Sequence, residues 1–230
     1  QRQMLFDEAD AAEALPKAVA AERKLRQINS DVQVEGLVAD ADRRSILSLV
    51  EGFDLILDGT DNFETRYLLN DVALKLGLPW IYGAVVSSYA TTLTVLPGRT
   101  PCLACVFPKP PQGMYDTCDT VGVIAPAVAW VSAIQVTKAL KILLGREQEL
   151  HGSLLAYDVW ANRSQQIRPK IDPQCRACGA RDFVHLEGGA SESTTLCGRD
   201  AVQVRPREPR GLDLAALQDR LARFGPVRGN

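Results

Sequence analysis

Histidine and surplus charge are both scarce in this 230-residue sequence. The two histidines, His151 and His185, lie far along the chain from the acidic motif described below, so a Ser-His-Asp or Cys-His catalytic centre has weak support. We expect surface or capping roles for both. The 26 Lys and Arg residues nearly balance the 28 Asp and Glu residues, giving a net charge of −2. That balance argues against a nucleic-acid partner.

Long apolar runs are missing as well. The longest apolar stretch, residues 121–136, contains Pro126, Ser132 and Gln135, falls short of a membrane span, and therefore predicts a buried helix. The sequence shows no secretory signal pattern, and free or metal-bound thiols suit a reducing compartment. We expect a cytoplasmic protein without a membrane segment.

Helical and strand patterns alternate regularly over the first hundred residues, with short connections between them. Such alternation is typical of a Rossmann-like, doubly wound α/β sheet. The run "DLILD" resembles a strand that is buried on both faces of a parallel sheet. The predicted helices lie at 16–28, 43–52 and 62–77, and the predicted strands at 31–38, 54–58 and 79–86.

The pattern changes after this point. A strand at 90–97 is expected to run antiparallel to its neighbour, and a hairpin at 153–169 to extend the same sheet. Between them, residues 106–120 are Pro-rich and predict a mobile loop, and residues 124–144 predict a long helix. The predicted fold is therefore an α/β sheet with an antiparallel extension.

Four of the six cysteines form two matched C-x-x-C pairs, Cys102 with Cys105 and Cys175 with Cys178. Two such pairs from distant segments can enclose one tetrahedral Zn²⁺ through four thiolates, which leaves no position for a substrate. A thioredoxin-like redox pair would instead need one C-x-x-C at the start of a helix, and prolines or a glycine flank both pairs here. The sequence therefore predicts a structural zinc site.

The stretch "LILDGTDNFETR" ends a predicted buried strand with two carboxylates, Asp58 and Asp61. In an open α/β sheet, ligands bind in the crevice beyond the carboxyl ends of the strands. A carboxylate at that place can hold Mg²⁺ against a polyphosphate. The alternative is that Thr60 or Asp61 only caps the following helix.

Several motifs occur in the order seen in one enzyme family. They are "QRQMLF", a Pro-Lys helix start at Lys17, "LDGTDN", "CLAC", "GVIAPAVAWVSAIQVTKALKILLG" and "CRAC". With these motifs the chain closely resembles the ThiF/MoeB/HesA adenylyltransferases, relatives of the ubiquitin-activating enzymes, over residues 1 to about 180. The later "LCGRDAVQV" resembles the C-terminal extension of ThiF-type members.

The resemblance implies ATP-dependent adenylation of the C-terminal glycine of a ubiquitin-like sulfur-carrier protein with a Gly-Gly tail, ThiS-like, for thiamine thiazole biosynthesis. It places Arg2 and Lys17 on the ATP phosphates, adds Gln3 to the nucleotide-binding set, and gives Asp61 to Mg²⁺ with Asn62 beside it. The attacking group is already a carboxylate, so no general base is required. The work is positioning and charge neutralisation.

Cys118 and Cys197 are further candidate thiols. Cys118 matches the position of a cysteine that some family members use in sulfur or thioester chemistry, although Asp116 and Asp119 beside it disfavour a thiolate. The alternative is an ordinary loop cysteine. In the family, the loop at 106–120 crosses the tail of the carrier, so we expect it to become ordered when the carrier binds.

The resemblance and the apolar stretch 121–136 together predict a homodimer. We divide the chain into an adenylation domain at 1–182, a linker at 183–195, indicated by its composition, and the start of a C-terminal extension at 196–230. Family members carry a Gly-rich phosphate loop ahead of "QRQ", yet none of the 17 glycines forms G-x-G-x-x-G. The chain begins at Gln1 and its first methionine is Met4, so we expect a piece of a longer polypeptide.

Three other functions stay open. In the first alternative, the protein activates a MoaD-like carrier in molybdopterin biosynthesis. The second is a non-catalytic scaffold that has kept the fold. The third is a dinucleotide-dependent oxidoreductase, against which the two C-x-x-C pairs and "TDN" both argue.

Overall fold

A computed structural model of the chain describes residues 13–110 and 118–188 (118–119 by backbone only), the backbone of 193–196 and 201–204, and positions 216, 218 and 220. The helices are α1 Lys17–Ile28, α2 Ile46–Leu49, α3 Phe63–Leu76, α4 Leu103–Val106, α5 Cys118–Val121, α6 Ala125–Leu143 and α7 Val184–Glu187. The strands are β1 Ile56–Leu57, β2 Trp80–Val86, β3 Tyr89–Val95, β4 Leu154–Asp158, β5 Arg163–Ile167, β6 Ser193–Leu196 and β7 Ala201–Val204.

The first five strands form one mixed sheet in the order β1-β2-β3-β4-β5. β1 runs parallel to β2, and every later neighbour is antiparallel. The α/β class and the antiparallel extension are therefore confirmed. Within the described residues, the parallel part of the sheet is limited to β1 and β2. β6 and β7 pair with each other in a separate two-stranded sheet.

Helix α3 forms where the sequence predicts it, because both ends are capped. The Asn62 side chain accepts a hydrogen bond from the backbone N–H of Thr65, which satisfies one of the free donors at the helix start. Gly77 ends the helix in the left-handed region at φ 70°, which glycine adopts without strain. The acidic Glu64 in the first turn and the basic Lys75 in the last turn both complement the helix dipole.

The sheet is covered on both faces because successive side chains of a strand point to opposite sides. On one face, Trp80, Tyr82 and Leu93 pack with α3 and with the two cysteine segments. On the other face, Ile81 packs against α6. No helix in the described ranges is long and apolar enough to cross a membrane.

Two predictions near the start of the chain are wrong. Residues 33–40, in and after the predicted strand 31–38, have no regular secondary structure. Their backbone is bonded by side chains of α1, with Arg26 donating to the Val34 carbonyl and Glu22 accepting from Gly36 N–H. The strand predicted at 54–58 is shortened to β1, and Leu57 is 49% exposed rather than buried on both faces, since β1 pairs only with β2 in the described sheet.

The region predicted as a linker, 183–195, contains secondary structure. Phe183 and Leu186 are both buried in the core cluster that includes α3, so α7 packs as part of the main body. Strand β6 occupies the end of the same range. Residues 189–192, and residues 111–117 of the loop at 106–120, lie outside the described residues.

Candidate functional site

The loop between β1 and α3 is organised around one buried carboxylate. Asp58 is 4% exposed, and its Oδ1 accepts hydrogen bonds from the backbone N–H of Thr60 at 2.8 Å and from the Thr60 hydroxyl at 2.7 Å. Its Oδ2 accepts a longer bond from the Gly83 N–H at 3.4 Å. Asp58 therefore bends the chain immediately after β1 and is not available to a ligand in this arrangement.

A buried arginine completes this support. Arg66 is 6% exposed, and its Nη2 donates to the carbonyls of Thr60 at 2.6 Å and Gly83 at 3.2 Å. Its Nε lies 3.5 Å from Asp58 Oδ2. Burial raises the pKa of the Asp58 carboxyl, and the Arg66 guanidinium opposes that rise. The pair joins the loop to the first turns of α3.

Helix α6 braces the same loop from the other side of the sheet. The Gln135 amide donates to the Asp58 carbonyl at 2.9 Å and to the Ile81 carbonyl at 3.1 Å. A Cβ at Gly83 would lie 2.5 Å from Gln135 Nε2, so a side chain at this position of β2 would displace the Gln135 amide. Three elements thus hold the backbone of the loop.

Asp61 is the carboxylate that this arrangement leaves in solvent. Asp61 is exposed, and its Oδ1 accepts a hydrogen bond from the Asn62 side-chain amide at 3.4 Å. The Asn62 oxygen already accepts the Thr65 N–H as the cap of α3, so the capping role expected for Thr60 or Asp61 belongs to Asn62. A rigid loop that presents one exposed carboxylate is a suitable place for a metal-bound phosphate.

Lys17 is the first residue of α1 and is exposed. It makes no hydrogen bond or ion pair with any residue that the structure describes. Arg2 and Gln3, the other predicted phosphate ligands, lie outside the described residues. The geometry of the complete predicted nucleotide-binding set therefore stays a prediction.

The four paired cysteines come together at one point. Their Sγ atoms all lie within 4.8 Å of one another, with Cys102 at 3.8 Å from Cys105 and 3.7 Å from Cys175, and Cys105 at 3.3 Å from Cys178. A tetrahedral Zn²⁺ with Zn–S bonds of about 2.3 Å places its sulfur atoms about 3.8 Å apart. The donor set and its spacing fit zinc.

Polar side chains of α3 anchor the first cysteine pair. Asn70 Oδ1 accepts the Leu103 N–H at 2.8 Å, and the Tyr67 hydroxyl donates to the Phe107 carbonyl at 2.6 Å. Both side chains are almost fully buried. The segment that carries Cys102 and Cys105 is therefore fixed to the same helix that begins at Asn62.

The second cysteine pair is anchored to α3 through Asp71, which is fully buried. Its Oδ2 accepts a hydrogen bond from the backbone N–H of His185 at 2.9 Å, and its Oδ1 lies 3.7 Å from Nη2 of Arg176. Arg176 lies between the two cysteines of the second pair in the sequence. Burial raises the pKa of Asp71 to about 6 despite these two partners. The ring of His185 stacks on Tyr67 at 5.0 Å, so this histidine has a packing role.

The sequence of residues 1–177 matches the ThiF family. The chain belongs to the ThiF family. This confirms the resemblance seen in the motifs, and the loop and the cysteine cluster both fall within the matched residues.

Named relatives agree with this assignment. The chain is 46% identical over 229 residues to the sulfur carrier protein ThiS adenylyltransferase of Bacillus subtilis, covering 98% of this chain and 67% of that protein. It is 37% identical over 180 residues to the SAMP-activating enzyme E1 of Haloferax volcanii, covering 78% of this chain and 66% of that protein. The chain thus spans about two thirds of the length of these relatives.

A solved structure supports the fold alone. The crystal structure of E. coli MccB with succinimide superposes with a TM-score of 0.64 at 21% identity, covering 77% of this chain and 54% of that chain. At this identity the likeness extends to the arrangement of helices and strands and carries no statement about substrate.

Sequence reasoning missed the residues that hold the loop, namely Arg66, Gln135 and Gly83. For Arg66 a signal exists in the sequence, because it is a charged residue among the apolar residues of the predicted helix. It lies one helical turn after Asn62, which places it next to the loop. Gln135 is the corresponding polar interruption of the apolar helix α6. Of the predicted thiols, Cys118 begins α5 by its backbone only, and Cys197 lies outside the described residues.

Proposed function

We propose that this chain is the catalytic part of an adenylyltransferase that activates the C-terminal glycine of a ThiS-like sulfur-carrier protein with ATP. The observation that carries this proposal is the braced loop with exposed Asp61, in a ThiF-family chain that is 46% identical to a ThiS adenylyltransferase. The carrier carboxylate attacks the α-phosphorus, a C–O–P bond forms, the α–β phosphoanhydride bond breaks, and pyrophosphate leaves.

Different residues of this chain would bind the Mg²⁺ and the phosphates of ATP. Asp61 would hold Mg²⁺, which supplies positive charge against the polyphosphate. Lys17, with Arg2 and Gln3, would bind the phosphates, and the Asn62 amide hydrogen points toward the Asp61 carboxylate. None of these groups needs to remove a proton, because the attacking oxygen is ionised at neutral pH.

A structural Zn²⁺ on Cys102, Cys105, Cys175 and Cys178 belongs to the same proposal. The fit of the four sulfur atoms to a tetrahedral ion supports it. Four thiolates around one ion leave no coordination position for a substrate, so the ion would join the two cysteine segments to each other and take no part in adenylation. Such a site suits a reducing compartment, which supports a cytoplasmic location.

The choice of carrier is decided by ATP–pyrophosphate exchange with the full-length protein. We expect exchange with a ThiS-like carrier and little with a MoaD-like carrier at equal concentration. A carrier lacking its terminal glycine is the control and must give none. Preference for the MoaD-like carrier would move the protein to molybdopterin biosynthesis, and exchange with neither would support the scaffold alternative.

A homodimer is the assembly we propose. The outer face of α6 presents apolar side chains to solvent, among them Val136, Leu140 and Leu143, which are 52%, 54% and 58% exposed. Their spacing along the helix places them in one stripe. Light scattering of the full-length protein tests this proposal, and a monomer at micromolar concentration would contradict it.

Cys118 is proposed to act after adenylation, in sulfur transfer. Carboxylate attack on ATP needs no thiol, so Cys118→Ser should keep pyrophosphate exchange and lose later sulfur transfer. Unchanged sulfur transfer would make Cys118 an ordinary loop residue. The boundaries 1–182, 183–195 and 196–230 remain a proposal, to be tested by limited proteolysis of the full-length protein.

A further inference from the structure

A buried ammonium group lies between α6 and β3 without an acidic partner. Lys138 is 4% exposed, and its Nζ donates to Thr92 Oγ1 at 3.2 Å. Thr92 Oγ1 donates in turn to the Tyr82 carbonyl at 2.7 Å. No carboxylate among the described residues forms an ion pair with Lys138. An ammonium group has three protons to donate, so within the described residues the charge and two of these donors are uncompensated.

Two buried hydroxyls, one on β3 and one directly before β4, also lack partners among the described residues. Within the described residues, Thr94 Oγ1 and Ser153 Oγ make no hydrogen bond, and the two residues are 6% and 4% exposed. Thr94 shares the face of Thr92 because it lies two positions further along β3. The register of β3 with β4 ends with Thr92 opposite Leu155, and Ser153 directly precedes β4 at the end toward which β3 continues to Thr94. We refer to Lys138, Thr92, Thr94 and Ser153 as the Lys138 cluster.

Three cations, Lys138 among them, lie near the ring of His151. Burial, followed by the charges of Lys138, Lys141 and Arg168, lowers the pKa of His151, so all three cations lie near that ring. Lys141 donates to a backbone carbonyl rather than to a carboxylate. The acidic residues that follow α6 are engaged by arginines, Glu147 by Arg99 and Glu149 by Arg146.

A buried cation without a counter-charge is strongly unfavourable, and unbonded buried hydroxyls add to that cost. We propose that the Lys138 cluster binds one small monovalent anion of the halide class, which accepts hydrogen bonds from the Lys138 ammonium and from the Thr94 and Ser153 hydroxyls. One negative charge balances the one buried positive charge. The near-complete burial of all three side chains selects a monatomic ion over a bulky one. This site is independent of the proposed adenylation.

Thermal unfolding of the full-length protein tests the proposal. Sodium bromide is titrated from 2 to 200 mM against sodium gluconate at constant ionic strength, with sodium phosphate as a parallel arm. We expect bromide to raise the Tm by about 4 °C in a saturable manner, as for a ligand that binds only the folded state. In Lys138→Met the rise should disappear, and in Lys75→Met, which removes an exposed lysine, it should remain.

The outcomes separate the alternatives. An equal bromide response in Lys138→Met, or no response in the wild type, would overturn the proposal and leave Lys138 with water or as a neutral amine. A response to phosphate without one to bromide would overturn the halide class. Ser153→Ala should shift the bromide midpoint to about tenfold higher concentration, because one donor is lost.

Two measurements on the wild type do not depend on a folded variant. Crystals soaked in bromide should show an anomalous peak within hydrogen-bonding distance of Lys138 Nζ, and a peak elsewhere only would contradict the site. Burial also lowers the pKa of Lys138 to about 8, so the Tm response should shrink between pH 7 and pH 9.5 as the ammonium is lost. Burial lowers the pKa of His151, so this ring does not gain charge across that range. An undiminished response at pH 9.5 would count against Lys138 as the anchor.

Discussion

The loop that precedes helix α3 and the middle of that helix are built in opposite ways. In the middle of α3, Tyr67, Asn70 and Asp71 are buried and bind both cysteine segments, and the four thiols lie within 4.8 Å of one another. In the loop before α3, Asp58 is buried, but the carboxylate that follows, Asp61, is left in solvent. The first region is closed, and the second is rigid but open.

We propose that this difference distinguishes a structural metal site from the site of the reaction. A structural metal needs all of its ligands from the protein and stabilises the fold by binding them. A site for phosphate chemistry needs fixed groups with free coordination positions. Both regions share one helix, so the cysteine cluster holds α3 in place and α3 presents Asn62 and Arg66 to the loop. The predictions below test whether the two regions are separable, starting with the largest effect.

Loss of the metal should have the largest effect on stability. We expect one Zn²⁺ per chain, and Cys102→Ser should remove it and cost several kcal/mol, because ligand binding and folding are coupled. Hydrogen exchange should then accelerate at 99–110 and 170–180 together. Metal analysis provides the check, with Cys197→Ser as the control that retains the ion. A stable chain with unchanged exchange after metal removal would refute the structural role.

Removal of the buried Arg66 guanidinium should destabilise the loop that precedes α3. Arg66→Met leaves Asp58 without its partner and should lower the free energy of unfolding by about 3–5 kcal/mol in urea. The exposed Arg99→Met should cost less than about 1 kcal/mol. The double variant Asp58→Asn/Arg66→Met should recover part of the loss, because no unpaired charge remains. Equal costs for Arg66→Met and Arg99→Met would mean that the pair does not hold the loop.

Asp61→Asn should separate chemistry from folding. The side chain keeps its shape and loses the charge that binds Mg²⁺, so pyrophosphate exchange should fall about 100-fold or more. The free energy of unfolding should be unchanged, since Asp61 is exposed and lies outside the supporting network. The matched control is Asp54→Asn, another exposed aspartate, which should keep full exchange. Retained exchange in Asp61→Asn would contradict its assignment.

Asp71, which anchors the second cysteine pair to α3, should make the free energy of unfolding depend on pH. Its pKa is raised by burial to about 6 from 3.8, so the folded protein keeps a proton that the unfolded chain has already lost. Stability should therefore fall by about 2 kcal/mol as pH rises from about 4 to 6, and then level off. Asp71→Asn should lack this decline. Zinc release at low pH affects the wild type and Asp71→Asn alike, so the informative quantity is the difference between their free energies of unfolding at each pH, measured in urea. A difference that stays constant with pH would contradict the prediction.

Much of the fold was predictable because its signals are local. Helix α3 carries its own cap and terminal glycine, and the two C-x-x-C pairs indicate a shared metal without any knowledge of the sheet. The strand predicted at 31–38 failed for the opposite reason. An alternating pattern describes a strand that has a partner, and in the described sheet that segment has none.

The sequence by itself determined the family, the acidic motif and the two matched cysteine pairs, because each depends on residue types at fixed short spacings. Only the tertiary structure decided which of two neighbouring aspartates faces solvent, since Asp58 and Asp61 are equivalent in composition and differ in what packs against them. It also placed Arg66, Gln135 and Gly83 around one loop, from three separate elements. Such contacts arise from packing between distant segments, and no spacing along the chain encodes them.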